Sequence, residues 1–348
     1  MSARPLQSNK LSPSVPKRRN SGVLRVDPAA LVTAQAGATA APGTPTATPV
    51  VTSAAARAGA RLVLGATTVT LLVCAPADQD LSLTFASLLS RAGARVLESE
   101  ACTSGDGAYL FQRIHADVSF VPGGVTNIES QVSEVARLRR LRVEVERAAR
   151  KRRVALFASK VDHCLFDLLL RHRSGELDCE VPLIISNHPD LRHVAKQFGT
   201  EYALIPKSPA NKRDAEREEF SLLESHDVDL VVLARYMQVL SDDFIARWEG
   251  RVINIHHSFL PAFVGARPHH QAQQRGVKLI GATAHYASTA LGDGPIIEQD
   301  VARCTHRDTV EDLLRKGRDL ERQVLSRAVR WHLQNRVIVH GNTTVVFS

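Results

Sequence analysis

The chain has 348 residues, 44% of them hydrophobic, so it is long enough for two packed domains and a tail. Lys and Arg number 44 against 36 Asp and Glu, a net charge of +8, yet no basic stripe with interleaved aromatics indicates a nucleic-acid-binding protein. No run of 18 apolar residues predicts a membrane span, and five cysteines without a CxxC pair or zinc-ligand spacing predict reduced thiols and no metal site.

Residues 1–66 predict a disordered tail. They are rich in Ala, Thr, Ser and Pro, and Asp27 is their single acid beside several Lys and Arg, so most of the net charge lies here. Such a stretch cannot bury enough apolar surface to order itself. Its Arg-rich, acid-poor composition is typical of an organelle transit peptide. We expect a mitochondrial presequence rather than a plastid one, with an unprocessed tail on a cytoplasmic protein as the alternative.

Residues 67–146 predict a small α+β domain. Strand-like and helix-like segments follow one another in the order βαββαβ. The predicted strands are 68–74, 94–100, 107–114 and 141–145, and the predicted helices are 81–92 and 127–138. A basic stretch, 147–153, is then expected to be a solvated connector rather than a binding patch.

Residues 153–348 predict an α/β domain, because strands and helices alternate from 154 onward. The alternation indicates a Rossmann-like, mostly parallel sheet with helices on both faces. The predicted strands are 154–158, 181–186, 203–205, 229–233, 252–255, 279–286 and 296–301, and the predicted helices are 164–171, 191–198, 214–225, 242–249 and 309–333. Thr309 is a plausible N-cap of the last helix, and a hairpin across Gly341-Asn342 should end the chain.

The octapeptide from Asn254 to Pro261 follows the apolar run 251–253 directly. Alternation along a strand places Asn254 and His256 on one side and Ile255 on the other. An amide and an imidazole therefore emerge together at the C-terminal end of a strand, where open α/β sheets bind their ligands. Acyl chemistry needs this pair, since one group can stabilise an oxyanion and the other titrates near neutral pH. A capping Asn and a core His are the alternative.

Further motifs recur in order after the octapeptide, at 262–272, 276–286 and 294–297. With them, the chain from about 154 to its C-terminus resembles the folate-dependent formyltransferase family, and within it the formyltetrahydrofolate deformylases. Two stretches, 159–165 and 171–180, resemble this branch. The first of them stands where a glycinamide ribonucleotide transformylase carries a Gly-rich phosphate loop.

The resemblance implies hydrolysis of 10-formyltetrahydrofolate to tetrahydrofolate and formate, supplying formate to one-carbon and purine metabolism, with no cofactor beyond the folate substrate. It makes Asn254 the oxyanion donor and His256 the group that moves protons. His257, one residue out of phase, should point away. The family aspartate falls at Gly292, so Asp293 is expected to replace it, helped by the flanking glycines.

The resemblance also implies a substrate pocket after the strand at 229–233. Arg235, Tyr236, Met237 and Val239 match the wall that holds the pterin, with a helix start and core residues as the alternative. His285 matches a supporting histidine of the substrate site. A packed core histidine is its equally weighted alternative.

The N-terminal unit resembles an ACT domain, which implies a small-molecule effector and a homo-oligomer. Such domains carry a glycine where the chain turns into the first helix, and Asp78-Gln79-Asp80-Leu81 lacks it, so a packing and dimerisation module is the alternative. Two other functions stay open for the whole chain. One is a transferase of the same fold, and the other is a catalytically impaired folate-binding protein, which Gly292 favours. No nucleic-acid or membrane partner is expected.

Overall fold

A computed structural model describes residues 23–26, 67–79, 81, 83–148, 150–260, 273–289 and 292–348. The rest of the tail, the motif residues 261–272 and Leu291 lie outside the described residues. Strand β1 (Val23–Val26) lies inside the region predicted to be disordered. The structure therefore differs from the prediction at these four residues, of which Val23 and Val26 are β-branched, a residue type that favours strands.

The N-terminal unit consists of a sheet and two helices, and it contains the six elements that the sequence predicts. They are β2 (Thr68–Pro76), α1 (Thr84–Arg91), β3 (Arg95–Thr103), β4 (Tyr109–Asp117), α2 (Gly124–Arg139) and β5 (Arg142–Arg147). The strand order is β1-β5-β2-β4-β3, and all pairs are antiparallel. One face buries Leu71 and Ile114 against Phe85 of α1 and Ile128 of α2. Helices thus cover one face of this antiparallel sheet, while part of the other face packs against residues near the C-terminus, with Leu72, Cys74 and Phe111 clustered with Ile338 and Phe347.

The second sheet has seven strands in the order β12-β11-β10-β9-β6-β7-β8. Its strands are β6 (Arg152–Ala158), β7 (Cys179–Ser186), β8 (Glu201–Leu204), β9 (Leu230–Leu233), β10 (Val252–His256), β11 (Leu279–Tyr286) and β12 (Ile296–Arg303). The pairs among β6 to β10 are parallel, and β11 and β12 join antiparallel. The expected Rossmann-like, mostly parallel sheet is confirmed.

Helices cover both faces of this sheet. They are α3 (His163–Ser174), α4 (Arg192–Phe198), α5 (Lys212–Ser225), α6 (Asp242–Arg247) and α7 (Val310–Leu333). Neighbouring residues of β6 enter opposite cores, with Leu156 in one apolar cluster and Phe157 in the other. A strand buried on both faces needs a continuous apolar run, which explains the sequence of β6 and β9.

Helix α7 begins as the sequence predicts. The Thr309 side chain accepts a hydrogen bond from the Asp312 backbone, and the Asp312 carboxylate accepts one from the Thr309 backbone, which completes a capping box. The helix then packs an apolar stripe against the sheet. The predicted hairpin follows as β13 (Val337–His340) and β14 (Thr343–Val346).

The connector between the two sheets is shorter than predicted. Arg147 ends β5, while Arg152 and Arg153 already belong to β6 and make ion pairs with Glu146 and Glu180. The solvated-connector prediction is therefore wrong for these arginines, because each has an acid on a neighbouring strand to pair with. Among the described residues, no helix is long and apolar enough to cross a membrane.

The first sheet contacts the end of α7 directly. Arg113 of β4 is 3% exposed and donates hydrogen bonds to the backbone carbonyl of Asn335, at 3.0 Å, and to that of Gln334, at 3.4 Å. These carbonyls follow the last turn of the helix, where backbone acceptors lack helical partners. The arginine thus caps α7 and joins the two units.

Candidate active site

Asn254 and His256 lie on β10 two residues apart and are both half-buried, while Ile253 and Ile255 point into the core. The alternation predicted from the sequence is confirmed. The strand ends at His256, and β10 sits between β9 and β11. Both side chains therefore emerge at the C-terminal edge of the parallel part of the sheet.

His285 lies directly opposite Asn254 on β11 and is 2% exposed. Its Nδ1 is 2.9 Å from the Tyr286 carbonyl oxygen, which can only accept. Nδ1 therefore carries the proton, and Nε2 accepts from the Asn254 amide nitrogen at 3.2 Å. Burial holds the pKa of His285 below its ordinary value, which agrees with this neutral form. The amide of Asn254 is thereby oriented, and within the described residues its second N–H has no hydrogen-bond partner, so that it can donate to a ligand.

Gly294 closes this arrangement from behind. A Cβ at this position would lie 1.7 Å from the Tyr286 carbonyl oxygen and 3.1 Å from Nδ1 of His285. Only glycine lets the backbone pass so close. The glycine of the 294–297 motif therefore protects the hydrogen bond that fixes the ring of His285.

His257 does not point away from His256. The two rings stack with centroids 5.2 Å apart and an angle of 12° between their planes. The prediction is wrong because β10 ends at His256, so the strand alternation no longer applies to the next residue. His257 instead supports the ring of His256 from one side.

Three further side chains extend this contact into the interior. Arg235 Nη1 is 2.7 Å from Nδ1 of His257, and Arg235 Nε is 3.4 Å from a carboxylate oxygen of Glu321. The same oxygen is 2.7 Å from Nε2 of His163 at the start of α3. We call His163, Arg235, His257 and Glu321 the charge cluster. Burial alone would raise the pKa of Glu321, but the hydrogen bond from His163 and the charge of Arg235 outweigh it and lower that pKa.

The surroundings of His256 keep its ring neutral near physiological pH. Burial is the largest cause that lowers its pKa, followed by the neighbouring His285 and the guanidinium of Arg235, while Glu321 acts in the opposite direction. A neutral imidazole can accept a proton from water. The arrangement therefore offers one amide donor and one potential base side by side.

The segment predicted as a pterin wall divides into exposed and buried side chains. Met237 and Val239 are each 59% exposed, whereas Tyr236 is 5% exposed and its hydroxyl donates to Glu219 at 2.9 Å. The Arg235 side chain turns inward to the charge cluster. Of the four predicted residues, Met237 and Val239 thus present side chains to solvent beside β9.

Buried polar groups hold this segment in place. The Met237 backbone N–H donates to Ser159 Oγ at the end of β6, at 3.0 Å. Below it, the side chain of Lys207 is 1% exposed, and its Nζ lies 3.0 Å from Glu219 and 3.6 Å from Glu216. Burial raises the pKa of Glu219, and Lys207 opposes that change. The exposed residues therefore stand on a rigid base.

Asp293 is exposed in the short turn before β12. Gly292 beside it has φ +75°, in the left-handed region. An aspartate at that position would adopt this conformation less readily than glycine. The backbone here therefore favours glycine at 292.

Within the described residues, one group places three metal-type ligand atoms within 4.8 Å of one another: His163, Cys164 and Glu321. Two observations argue against a metal centre. The guanidinium of Arg235 already pairs with the Glu321 carboxylate, and burial holds the pKa of Cys164 well above its usual range, which keeps it a thiol. A cation would have to compete with a resident positive charge.

Sequence reasoning missed Glu321, Ser159 and Lys207. Glu321 carried a usable signal, because it occupies a buried position within the apolar stripe of α7, between Leu320 and Val324. An acid at such a position needs a buried partner. The partners themselves could not be inferred, since they lie on α3 and after β9, far away in the chain.

Comparisons with known proteins agree with this geometry. A family model described as formyl transferase matches residues 152–329. A formyltetrahydrofolate deformylase from Synechocystis sp. is 47% identical over 281 residues, covering 81% of this chain and 99% of that protein. Another from Bacillus subtilis is 41% identical, covering 80% and 93%.

Solved structures show the same relationship. The crystal structure of a formyltetrahydrofolate deformylase from Pseudomonas syringae matches with a TM-score of 0.77 and 40% identity, covering 82% of this chain and 96% of that one. A glycinamide ribonucleotide transformylase from Symbiobacterium toebii matches with a TM-score of 0.54 and 28% identity, covering 58% and 97%. The first match therefore extends over a larger part of this chain than the second.

Proposed function

This chain belongs to the formyltetrahydrofolate deformylase family, and on that premise we propose that it hydrolyses 10-formyltetrahydrofolate to tetrahydrofolate and formate. The observation that carries the proposal is the pairing of Asn254 with a neutral His285, with His256 two residues along the same strand. The formate released would feed one-carbon and purine metabolism.

Stabilisation of the oxyanion intermediate is the first requirement of this reaction. Water adds to the formyl carbon, and the carbonyl oxygen becomes negative in the tetrahedral intermediate. The second N–H of Asn254 donates to that oxygen, and His285 holds the amide so that it needs no reorientation during the reaction. His285 is then a positioning residue, since both of its ring nitrogens have protein partners.

Proton transfer is the second requirement. Neutral His256 accepts the proton that water loses and returns it to N10 as the carbon–nitrogen bond breaks, so that tetrahydrofolate and formate leave. Asp293 supplies the carboxylate that helps to orient the water. Its position next to Gly292, in a turn that favours glycine there, supports this replacement of the family aspartate.

The folate lies against the segment after β9. Met237 and Val239 provide the apolar surface for the pterin, because they are exposed on a base fixed by Ser159. Tyr236 and Arg235 contribute only backbone atoms to this surface, because their side chains point inward.

The N-terminal unit is proposed to be an ACT-like domain with a small-molecule effector in a homo-oligomer. Its βαββαβ order and the packing of both helices on one face of the sheet support this assignment. Residues 1–66 are proposed to direct the protein to mitochondria. A cut on the N-terminal side of Val23 would leave β1 in the sheet. A fusion of residues 1–66 to a fluorescent reporter should colocalise with mitochondria, and uniform cytosolic or plastid fluorescence would refute this.

One assay separates the hydrolase from its two alternatives. The purified protein is incubated with 10-formyltetrahydrofolate, and formate is measured with and without glycinamide ribonucleotide. A deformylase releases formate in both cases. A transferase forms formylated ribonucleotide only when the acceptor is present. An impaired binding protein binds folate, seen by fluorescence or calorimetry, and releases no formate.

A further inference from the structure

The charge cluster forms an unbroken set of contacts that ends at the imidazole of His256. His163 and Arg235 share one oxygen of Glu321, Arg235 meets His257, and the rings of His257 and His256 stack. His163 comes from α3, Arg235 from the loop after β9 and Glu321 from α7, while His257 directly follows His256 at the end of β10. Three distant parts of the chain thus converge beside one residue of the candidate active site.

Such a cluster is costly to maintain in the interior. The side chain of Glu321 is 4% exposed and that of Arg235 is 16% exposed, and burial of charged groups is unfavourable unless they are paired. Arg235 also has φ +64°, which residues other than glycine rarely adopt. Backbone strain and buried charge together are found mainly where function requires them. An apolar pair would fill the same space without the free-energy cost of burying two charges.

We propose that Arg235 and Glu321 are positioning residues for His256. Arg235 fixes His257, whose ring supports that of His256, and the carboxylate of Glu321, 3.4 Å from Arg235 Nε, balances the charge of Arg235. The proposal rests on the hydrolysis proposed above and assigns to that reaction two residues whose side chains touch neither substrate nor the reacting atoms.

The charged and titratable groups around His256 set the sign of each expected effect. They are His257 on its own segment, His285 on β11, Arg235 after β9, and Glu321 on α7 with its partner His163 on α3. Arg235 opposes protonation of His256, and Glu321 favours it. Removal of either charge should therefore move the titration of His256, and the two removals should move it in opposite directions.

The test compares Arg235→Met, Glu321→Gln and the charge-retaining Arg235→Lys by pH profiles of kcat/KM. In Arg235→Met the acidic limb should move to higher pH, and in Glu321→Gln it should move to lower pH. Arg235→Lys should keep the position of the limb yet lose about 10²-fold in kcat, because the ammonium does not reproduce the contact with His257. KM should change little in all three. Asp319→Asn is the control, since it removes one negative charge from an exposed site on the same helix.

A second readout keeps the inference separable from the proposed function. The titration of the His256 ring can be followed by NMR in the folded variants without any turnover. If wild type releases no formate, the hydrolysis proposal fails, while opposite shifts in NMR would still support the positioning role. The positioning role would be overturned if wild type, Arg235→Met and Glu321→Gln had the same acidic limb of kcat/KM and the same NMR titration of His256. If a single variant does not fold, the double variant Arg235→Met with Glu321→Gln is measured instead. Its acidic limb of kcat/KM should lie closer to the wild-type position than that of either single variant.

Discussion

Gly294→Ala should damage the active site without touching a catalytic side chain. The new Cβ would lie 1.7 Å from the Tyr286 carbonyl oxygen, and real Cβ contacts stay above 3.0 Å. The backbone must therefore move by about 1 Å or more, a displacement that can cost on the order of 10²-fold in rate at a reacting centre. The carbonyl that moves is the acceptor for Nδ1 of His285, so the orientation of Asn254 is lost with it.

The assay is formate release under saturating substrate, together with thermal unfolding. We expect kcat to fall by about 10²-fold and the free energy of unfolding by about 1–3 kcal/mol, the usual cost of overpacking. Gly105→Ala is the matched control, because a Cβ there meets nothing within 4 Å. If Gly294→Ala folds and keeps wild-type kcat, then the backbone of Tyr286 does not set the geometry of the site.

Three further predictions follow from charged and titratable groups. Asp293→Asn should abolish most formate release, since a neutral amide lacks the negative charge that orients the water, and full turnover would show that another group orients it. Because the pKa of His256 lies below its ordinary 6.5, the midpoint of the acidic limb of wild-type kcat/KM should lie below pH 6.5, and a midpoint above 6.5 would contradict the assignment. Lys207→Met should lower the free energy of unfolding, measured in urea, by about 3–5 kcal/mol, because buried Glu219 and Glu216 lose their cation. Burial already raises the pKa of Glu219, so its protonation should make this loss smaller at acidic pH, and a loss no larger than that of the exposed Lys196→Met would refute the argument.

The second sheet and the placement of Asn254 and His256 could be predicted from the sequence, because both depend on local periodicity. Apolar runs separated by helical patterns specify parallel strands, and alternation along β10 separates Asn254 and His256 from Ile255. The capping box of Thr309 was likewise readable, since a cap depends on residues three apart.

Features that depend on distant contacts could not be read in this way. The stacking of His257 follows from where β10 ends, and strand ends are set by tertiary pairing. The convergence of His163, Arg235 and Glu321 joins parts of the chain up to 158 residues apart. Strand β1 was missed because the composition around Val23–Val26 is that of a disordered tail.

The central claim is that Asn254 and His256 carry out the hydrolysis of 10-formyltetrahydrofolate. It is tested most directly by formate release from this substrate, without an acceptor, in wild type, Asn254→Ala and His256→Ala, with the exposed His306→Ala as control. We expect wild type and the control to release formate, Asn254→Ala to lose about 10²–10³-fold in kcat, and His256→Ala to lose on the order of 10²-fold or more, while both site variants still bind folate. Full formate release by both site variants would contradict the account.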